Sequence, residues 1–248
     1  MKSICNATML AGVLMISTTT YTQVKLDGYE VGINAGTLVY QGDLSSGVYG
    51  NLKSLRPAVG IYVAKAINSY FKLRGTVVRG RIMANEADYS SPEWRQQRNF
   101  SFTTPVTELS VTAVFQPYGN EQDFKRLTPY VFAGAGISIL NVKRDWSRIN
   151  TTVFDDKTAA MIGLGRDTLH KPSHVLPVIP IGVGLHYSIT NKIGLTAEGV
   201  YRYTTSDYVD GFKYAGNPDR KDSYYGVSIG LSFLLGKDKY ACPTVSKY

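Results

Sequence analysis

Three histidines are the residues best suited to metal binding or catalysis in this 248-residue sequence, and none has a complete set of partners. His170 and His174 are close enough in sequence to approach one metal ion, but no adjacent thiol or carboxylate completes a ligand set. His186 and Ser188 are types that some lipid-modifying barrel enzymes use, yet both fall on the inward face of their predicted strand. We therefore expect no metal, no cofactor and no catalytic residue, and we predict that the chain is not an enzyme.

Four charged side chains form a second candidate cluster: Arg74, Glu108, Glu198 and Arg202. Glu198 and Arg202 are four residues apart in one segment of alternating polarity, so both point to the same side. We predict an ion network inside a barrel, in which Glu198 and Arg202 pair directly and the other two lie beside them. A gate is the functional alternative, but polar interiors are usual in membrane barrels and favour a structural network.

Apolar and polar residues that alternate with period two predict the elements that hold these side chains. In the segment that ends at Leu235, aromatic and aliphatic residues occupy every second position, with Gly and Ser between them. Helix signals are nearly absent, apart from one short turn at 156–162. Eight segments are long enough for tilted membrane strands, namely 28–40, 57–66, 69–83, 101–117, 128–142, 176–189, 192–204 and 223–235.

The connections between these segments alternate between short and long, which is typical of outer-membrane barrels. The long connections are 41–56, 84–100, 143–175 and 205–222, and the shorter ones are 67–68, 118–127 and 190–191. The predicted fold is all-β, an eight-stranded antiparallel up-and-down transmembrane β-barrel. Its even strand number places both termini on the periplasmic side of the outer membrane. The loop 143–175 carries mixed charges, and we expect it to be a solvated loop.

A soluble barrel of the lipocalin kind would have the same strand count, so only the polarity of the two faces of the wall can distinguish a soluble barrel from a membrane barrel. One face is rich in Gly and carries charged groups, which suits a narrow lumen better than a water-exposed surface. The other face is apolar and suits lipid. Arg79 and Arg81 fall on this apolar face, toward the long-loop end, and we expect them at or above the interface.

Aromatic residues near the strand ends suggest two interfacial girdles, as expected for rings with one apolar and one wet end. The girdle residues are Phe71, Phe115, Tyr118, Tyr130, Tyr187 and Phe233 at the short-turn end and Tyr201, Tyr203 and Tyr225 at the long-loop end. A barrel of eight strands is just filled by its own side chains, so we expect no diffusion pore. Function must then lie in the loops, the rims or the outer surface.

Residues 1–22 have the pattern of a secretory signal, with Lys2 before a short apolar core and a small-x-small site before Gln23. The predicted domains are the signal peptide 1–22, the barrel 23–236 and a periplasmic tail 237–248. Nucleic acid or anionic lipid could explain the formal net charge of +8. A lipid-embedded barrel favours lipid, and we expect no nucleic-acid partner.

Three segments carry a resemblance to a known family. They are the exit of the first strand, with Tyr-x-Gly-Asp-Leu at 40–44, the fifth strand at 129–136, and the exit of the seventh strand, with Thr-x-Ser-Asp-Tyr-Val-Asp-Gly at 204–211. Together they resemble the small outer-membrane barrels of Bacteroidota, above all the barrel component of the type IX (Por) secretion system. The resemblance covers most of residues 28–236. It implies a barrel that is not the translocon and that associates with a periplasmic ring of a lipoprotein and a partner.

The C-terminal tail departs from the usual ending of such barrels, because Phe233 is followed by residues 234–248. Cys242 is the only thiol left after signal removal, and Pro243 stops any strand there. We expect Tyr240, Cys242 and Pro243 to contact the periplasmic partner that the resemblance implies, with a free thiol as the alternative. The expected function is a scaffold of a type IX secretion-type envelope complex. The alternative is a stand-alone structural or surface-interaction barrel of the small OmpA/OmpX kind.

Overall fold

A computed structural model describes residues 28–45, 47, 49–119, 127–206, 208–216 and 221–235, and these residues form nine β-strands and two α-helices. The strands are β1 (Tyr29–Gln41), β2 (Arg56–Ala66), β3 (Phe71–Asn85), β4 (Ser101–Phe115), β5 (Leu127–Leu140), β6 (Lys143–Asp145), β7 (Val175–Ser188), β8 (Ile193–Thr204) and β9 (Ser223–Leu235). The helices are α1 (Trp94–Arg98) and α2 (Ala159–Leu169), and two single 3₁₀ turns cover Leu52–Ser54 and Glu86–Asp88.

Eight of these strands form the wall of a closed antiparallel barrel. Successive wall strands are neighbours, β3 pairs with β4, and β1 pairs with β9, so the sheet has no free edge. The β1–β9 pairing runs unbroken from Tyr29 opposite Leu235 to Gln41 opposite Ser223. The closed eight-stranded, up-and-down barrel that the sequence predicts is therefore confirmed.

Alternation along each strand sorts the side chains into two environments. β7 is the clearest case, since exposed and buried residues alternate along its whole length. Val175, Ile181 and Leu185 lie on the outward face and are exposed, whereas His186 and Ser188 point inward and are buried. The outward face of the wall is mainly aliphatic and aromatic, and the buried face carries most of the charged residues.

The two ends of the barrel differ in size. The tight connections at 67–70 and 189–192 lie at one end, together with the start of β1 and the end of β9. At the other end, longer segments fold over the mouth around a shared hydrophobic core that includes Leu44, Phe100, Leu164 and Phe212. We call the described residues of 42–55, 86–100, 141–174 and 205–222 the cap.

The cap contains more regular structure than the sequence predicts. The segment 143–175 was expected to be a solvated loop with at most one helical turn at 156–162, but it holds β6 and the 11-residue helix α2. β6 extends the sheet beyond the wall by pairing with the loop end of β4, Ser101 opposite Asp145. These elements form because the cap segments pack on one another, a tertiary effect that local propensity does not reveal. Neither described helix is long and apolar enough to cross a membrane.

Candidate functional site: a charged lumen beneath a folded cap

Two ion pairs cross the lumen and join the four charged residues that the sequence singles out. Arg74 Nη1 on β3 lies 2.5 Å from Glu198 Oε1 on β8. Arg202 Nε on β8 lies 2.6 Å from Glu108 Oε2 on β4. All four side chains are buried, so each pair holds its charges away from water. The four residues therefore form two separate links between β8 and the β3–β4 side of the wall.

The pairing differs from the direct Glu198–Arg202 contact that the sequence suggested. Both residues do point inward from β8, as the alternation predicted. Four residues of strand, however, separate their Cα atoms by about 13 Å, at roughly 3.3 Å per residue. Each side chain instead reaches across the narrow lumen, Glu198 to Arg74 and Arg202 to Glu108.

A buried tyrosine adds one hydrogen bond to each of the two carboxylates. The Tyr130 hydroxyl donates to Glu198 Oε1 at 2.6 Å, and the Tyr224 hydroxyl donates to Glu108 Oε2 at 3.0 Å. Ser138 and Tyr224 also share a hydrogen bond of 2.7 Å. A buried charge is tolerated only when its remaining hydrogen-bonding capacity is filled, and these hydroxyls fill part of it.

Tyr130 was expected in the outward aromatic girdle, and that assignment is wrong. It is 5% exposed and points into the lumen, because its strand neighbours Pro129 and Val131 take the outward positions. Inward glycines on β7 make room for it: a Cβ on Gly184 would overlap the Tyr130 ring, and one on Gly182 would overlap Phe132. The other expected girdle residues are exposed or partly exposed.

A third charged group, not identified as a pair from the sequence, lies nearer the short-turn end. Lys72 Nζ lies 2.7 Å from Glu30 Oε2, and the Tyr62 hydroxyl donates to Glu30 Oε1 at 2.9 Å. His186 Nε2 lies 3.2 Å from Ser232 Oγ. Glu30 and Lys72 occupy inward-facing positions of β1 and β3, so the period-two alternation already places both side chains in the lumen, although it does not pair them.

These groups leave little open space in the lumen. A cavity of about 40 Å³ lies between the two cross-lumen ion pairs and is lined by polar groups, among them Thr76 and Ser110. That is room for a few water molecules, and the buried hydroxyl of Thr76 on this lining has no hydrogen-bond partner among the described residues. The described lumen is therefore filled by its own side chains, and it offers no path for a solute.

The cap above the lumen has polar anchors of its own. Glu86 is fully buried and accepts hydrogen bonds from the guanidinium of Arg98 and, at 3.2 Å, from the backbone N–H of Phe100. Asp167 of α2 is fully buried and accepts from the backbone N–H groups of Lys213, Tyr214 and Ala215. Asp167 therefore joins the segment 141–174 to the segment 205–222, whereas Glu86 fixes the segment 86–100 internally and holds Arg98, which donates to the carbonyl oxygen of Ala215.

Two further carboxylates share one hydroxyl where the cap meets the barrel. Tyr40 Oη lies 2.6 Å from Asp210 Oδ2 and 2.5 Å from Asp222 Oδ1. A hydroxyl carries one proton and can donate to only one of them at a time, so the second short contact requires a proton on a carboxyl group. Burial, and then the charge of Asp222, hold the pKa of Asp210 well above its usual range, which makes Asp210 the protonated member.

Two of the three segments that carry the family resemblance meet at this point. Tyr40 and Leu44 come from the exit of β1, and Val209 and Asp210 come from the exit of β8. A Cβ on Gly42 would overlap the Tyr40 hydroxyl and the Asp222 carboxylate, so the close approach needs glycine. The residues of both motifs therefore build the junction between cap and barrel, a role that sequence reasoning did not assign to them.

The remaining sequence candidates lie apart from one another. His170 stacks on Tyr208 with ring centroids 4.2 Å apart, and His174 Nδ1 lies 3.1 Å from the carbonyl oxygen of Leu140. Across the described ranges, no three His, Cys, Asp or Glu side chains are placed to hold a metal ion. Tyr240, Cys242 and Pro243 of the tail, and the signal segment 1–22, lie outside the described residues.

Several solved structures are similar to this chain. The neisserial surface protein A is 16% identical with a TM-score of 0.46, and the match covers 84% of this chain and 98% of that one. Ail, the attachment invasion locus protein of Yersinia pestis, is 12% identical with a TM-score of 0.43, covering 84% and 99%. A major outer membrane protein of Thermus thermophilus is 10% identical with a TM-score of 0.44, covering 83% and 98%. At these values the similarities carry no conclusion about function.

A comparison with curated proteins gives no match. Membership of a family follows instead from a family model that matches residues 7–243, nearly the whole sequence. The described barrel, its charged lumen and its cap all lie within that matched range. The chain belongs to the family described as Domain of unknown function (DUF6089).

Proposed function

We propose that this chain is a non-enzymatic β-barrel of the outer membrane that acts through its protein surfaces. The observation that carries the proposal is the polarity of the wall: charged and polar groups lie buried inside, and aliphatic side chains lie exposed outside. Ile181, Val183 and Ile229 are each more than half exposed. A soluble barrel hides its apolar face, whereas a membrane barrel turns that face to lipid.

The filled lumen argues against a transport role. Three ion pairs and the buried tyrosines fill the inside of the wall, and the cap covers one mouth of the barrel. In the proposed orientation the cap lies outside the cell, and both ends of the barrel sequence lie at the periplasmic rim. Binding of partners at the cap or at the rim then remains as the function of the barrel.

Within this frame we favour a scaffold or accessory component of a type IX secretion-type envelope complex. Support comes from the resemblance carried by residues 40–44 and 204–211. The partner would be a periplasmic lipoprotein or ring protein, bound through the rim and through the tail residues Tyr240, Cys242 and Pro243.

A stand-alone surface-interaction barrel of the small OmpA/OmpX kind is the second candidate, and the cap favours it. The cap has its own hydrophobic core yet exposes large side chains such as Tyr49, Leu52, Trp94 and Leu169. Apolar and aromatic groups presented on an ordered surface are suited to a protein partner.

Affinity capture from detergent-solubilised membranes, followed by mass spectrometry, tests the two roles. A scaffold should capture a periplasmic lipoprotein in the full chain and lose it in a variant that lacks residues 237–248. Equal capture by both forms would contradict docking through the tail. Absence of any periplasmic partner, with a surface ligand bound by the intact cap, would support the stand-alone barrel.

A separate experiment tests the membrane assignment. The protein should fractionate with outer membranes and resist extraction by alkaline carbonate, because its outward face is apolar. Recovery as a soluble monomer would contradict the proposal.

A further inference from the structure

Two arginines stand on the outward face of β3, where the other wall strands present mainly apolar groups. Arg79 and Arg81 occupy alternate positions near the loop end of β3, and both are exposed. Within the described part of the chain, neither guanidinium makes a hydrogen bond, an ion pair or a ring contact. Two unpaired cations on the face that meets lipid need a partner from outside the chain.

Their height on the barrel can be worked out from Phe71, the exposed ring at the other end of β3. Eight residues separate Phe71 from Arg79, about 26 Å along a strand at roughly 3.3 Å per residue. A strand tilt of about 40° reduces this to a height of roughly 20 Å, and Arg81 lies at roughly 25 Å. The apolar band of such barrels is about 25 Å tall, so both guanidinium groups reach its outer edge.

The surroundings of the two arginines are polar on one side only. On β4, Thr107 pairs with Arg79, and Thr103 lies on the same outward face. On the other side of Arg79, its partner on β2 is the exposed Val59, and beyond Thr107 the outward position on β5 is the exposed Ile139. We call Arg79, Arg81, Thr103 and Thr107 the β3–β4 patch.

We infer that the β3–β4 patch binds the phosphate group of an anionic lipid in the outer leaflet. The inference rests on the proposed membrane location. Arginine presents a planar fork of donors that matches phosphate oxygens, and the threonine hydroxyls add further donors. The two arginines are about 7 Å apart along the strand, so both can engage one phosphorylated headgroup from the side.

Native mass spectrometry of the full chain in nanodiscs tests this binding. The lipids are phosphatidylcholine alone or phosphatidylcholine with lipid A, a bisphosphorylated glycolipid. The wild-type chain should retain lipid A on release from the disc. The double variant Arg79→Gln with Arg81→Gln should retain it at least about tenfold less, since the loss of even one charge-assisted hydrogen bond weakens binding by about that factor. The variants should still fold, because removing a charge from a lipid-facing strand relieves a cost.

Three controls accompany this measurement. Lys65→Gln removes an exposed outward cation at the opposite end of β2, where Lys65 lies over the Tyr29 ring. That variant should retain lipid A like the wild type, and Arg79→Lys should retain more than Arg79→Gln. An excess of free inorganic phosphate should not displace the lipid, because the bound headgroup is anchored by its acyl chains.

The outcomes separate this inference from the proposed function. A barrel that inserts into discs but retains lipid A equally with and without the arginines would overturn the inference and leave the membrane proposal standing. If the Lys65→Gln variant loses as much lipid A as the double arginine variant, the inference is also overturned, because any exposed cation would then have the same effect. Failure of the wild-type chain to enter discs at all would overturn both.

Discussion

At the scale of single residues, the lumen joins each of four charges to a partner on another strand. Arg74 pairs with Glu198, and Tyr130 adds a hydrogen bond to the same carboxylate. Removal of one member leaves the other charge buried and unpaired, which costs about 3–5 kcal/mol. Arg74→Ala and Glu198→Ala should each cost this much, and the double variant should cost clearly less than their sum. Urea unfolding in lipid vesicles gives the three free energies.

A matched cycle on Glu198 and Arg202 serves as the control. These residues lie on the same strand, but each pairs elsewhere. Because these two residues contact different partners and lie four positions apart on one strand, their effects on the free energy of unfolding should add to within roughly 0.5 kcal/mol. Strong coupling between Glu198 and Arg202, with none between Arg74 and Glu198, would contradict the pairing described.

The proton shared at Tyr40 predicts a dependence of the cap on pH. The pKa of Asp210 is higher in the folded cap than in the unfolded chain, so protonated Asp210 contributes its full stability below the unfolded pKa of about 3.9. That contribution is lost as the pH rises through the folded pKa. Cap residues should become easier to cleave by protease as the pH rises, whereas Asp210→Asn should remove most of this change.

The control for this titration is Asp156→Asn, which alters an exposed carboxylate of the cap. It should leave the pH dependence of cleavage as in the wild type. If Asp210→Asn and Asp156→Asn show the same pH dependence of cleavage, the proton shared at Tyr40 does not stabilise the cap.

The sequence predicts that the four charged lumen residues point inward, but it does not predict which of them pair. Period-two alternation was sufficient to place Arg74, Glu108, Glu198 and Arg202 on the same side of the wall. Which carboxylate meets which guanidinium depends on strand tilt and stagger around the barrel, and these are properties of the closed sheet. The inward turn of Tyr130 was missed because the space for its ring comes from Gly184 on the next wall strand.

At the scale of elements, α2 is fixed to the cap by close contact of its backbone. A Cβ on Gly163 would overlap the Tyr214 carbonyl group, so Gly163→Ala must push the helix away from this segment. We expect a loss of about 1–3 kcal/mol in local cap stability. Hydrogen exchange of the backbone amides of Tyr214 and Ala215, which donate to Asp167, measures it.

Gly165 offers a control two residues along the same helix. A Cβ there meets nothing within 4 Å, so Gly165→Ala should be neutral or stabilise the helix by up to about 1 kcal/mol. Equal exchange rates in the two variants would show that α2 does not dock through Gly163.

The contrast between wall and cap explains what sequence patterns predict well. A wall strand has two opposite environments, so its residue types repeat at every second position and its bounds can be read to within a few residues. α2 contains Gly163, Gly165 and a buried Asp167, which are poor signals for a helix. Its stability comes from contacts with residues more than forty positions away, such as Lys213 and Ala215.

At the scale of the whole molecule, the depth of a charge on the outward face should determine its cost. Ile181 lies near the middle of β7 and Val175 lies at its loop end, and both are about half exposed. Ile181→Arg should cost about 2–4 kcal/mol in a membrane, and Val175→Arg about 0–1 kcal/mol. Unfolding free energies in vesicles provide the comparison, and equal costs would contradict a membrane-spanning wall.

The closure of the barrel also governs how the molecule can assemble. β1, the first described strand, finds its second partner only in β9, the last. Until Ser223–Leu235 has been delivered, β1 and β8 each expose a row of unpaired backbone groups. Hydrocarbon cannot satisfy such groups. For the proposed membrane barrel, stepwise entry of single strands into the bilayer is therefore excluded energetically. The wall must form at the membrane surface or on an assembly factor and enter lipid as one concerted event late in biogenesis.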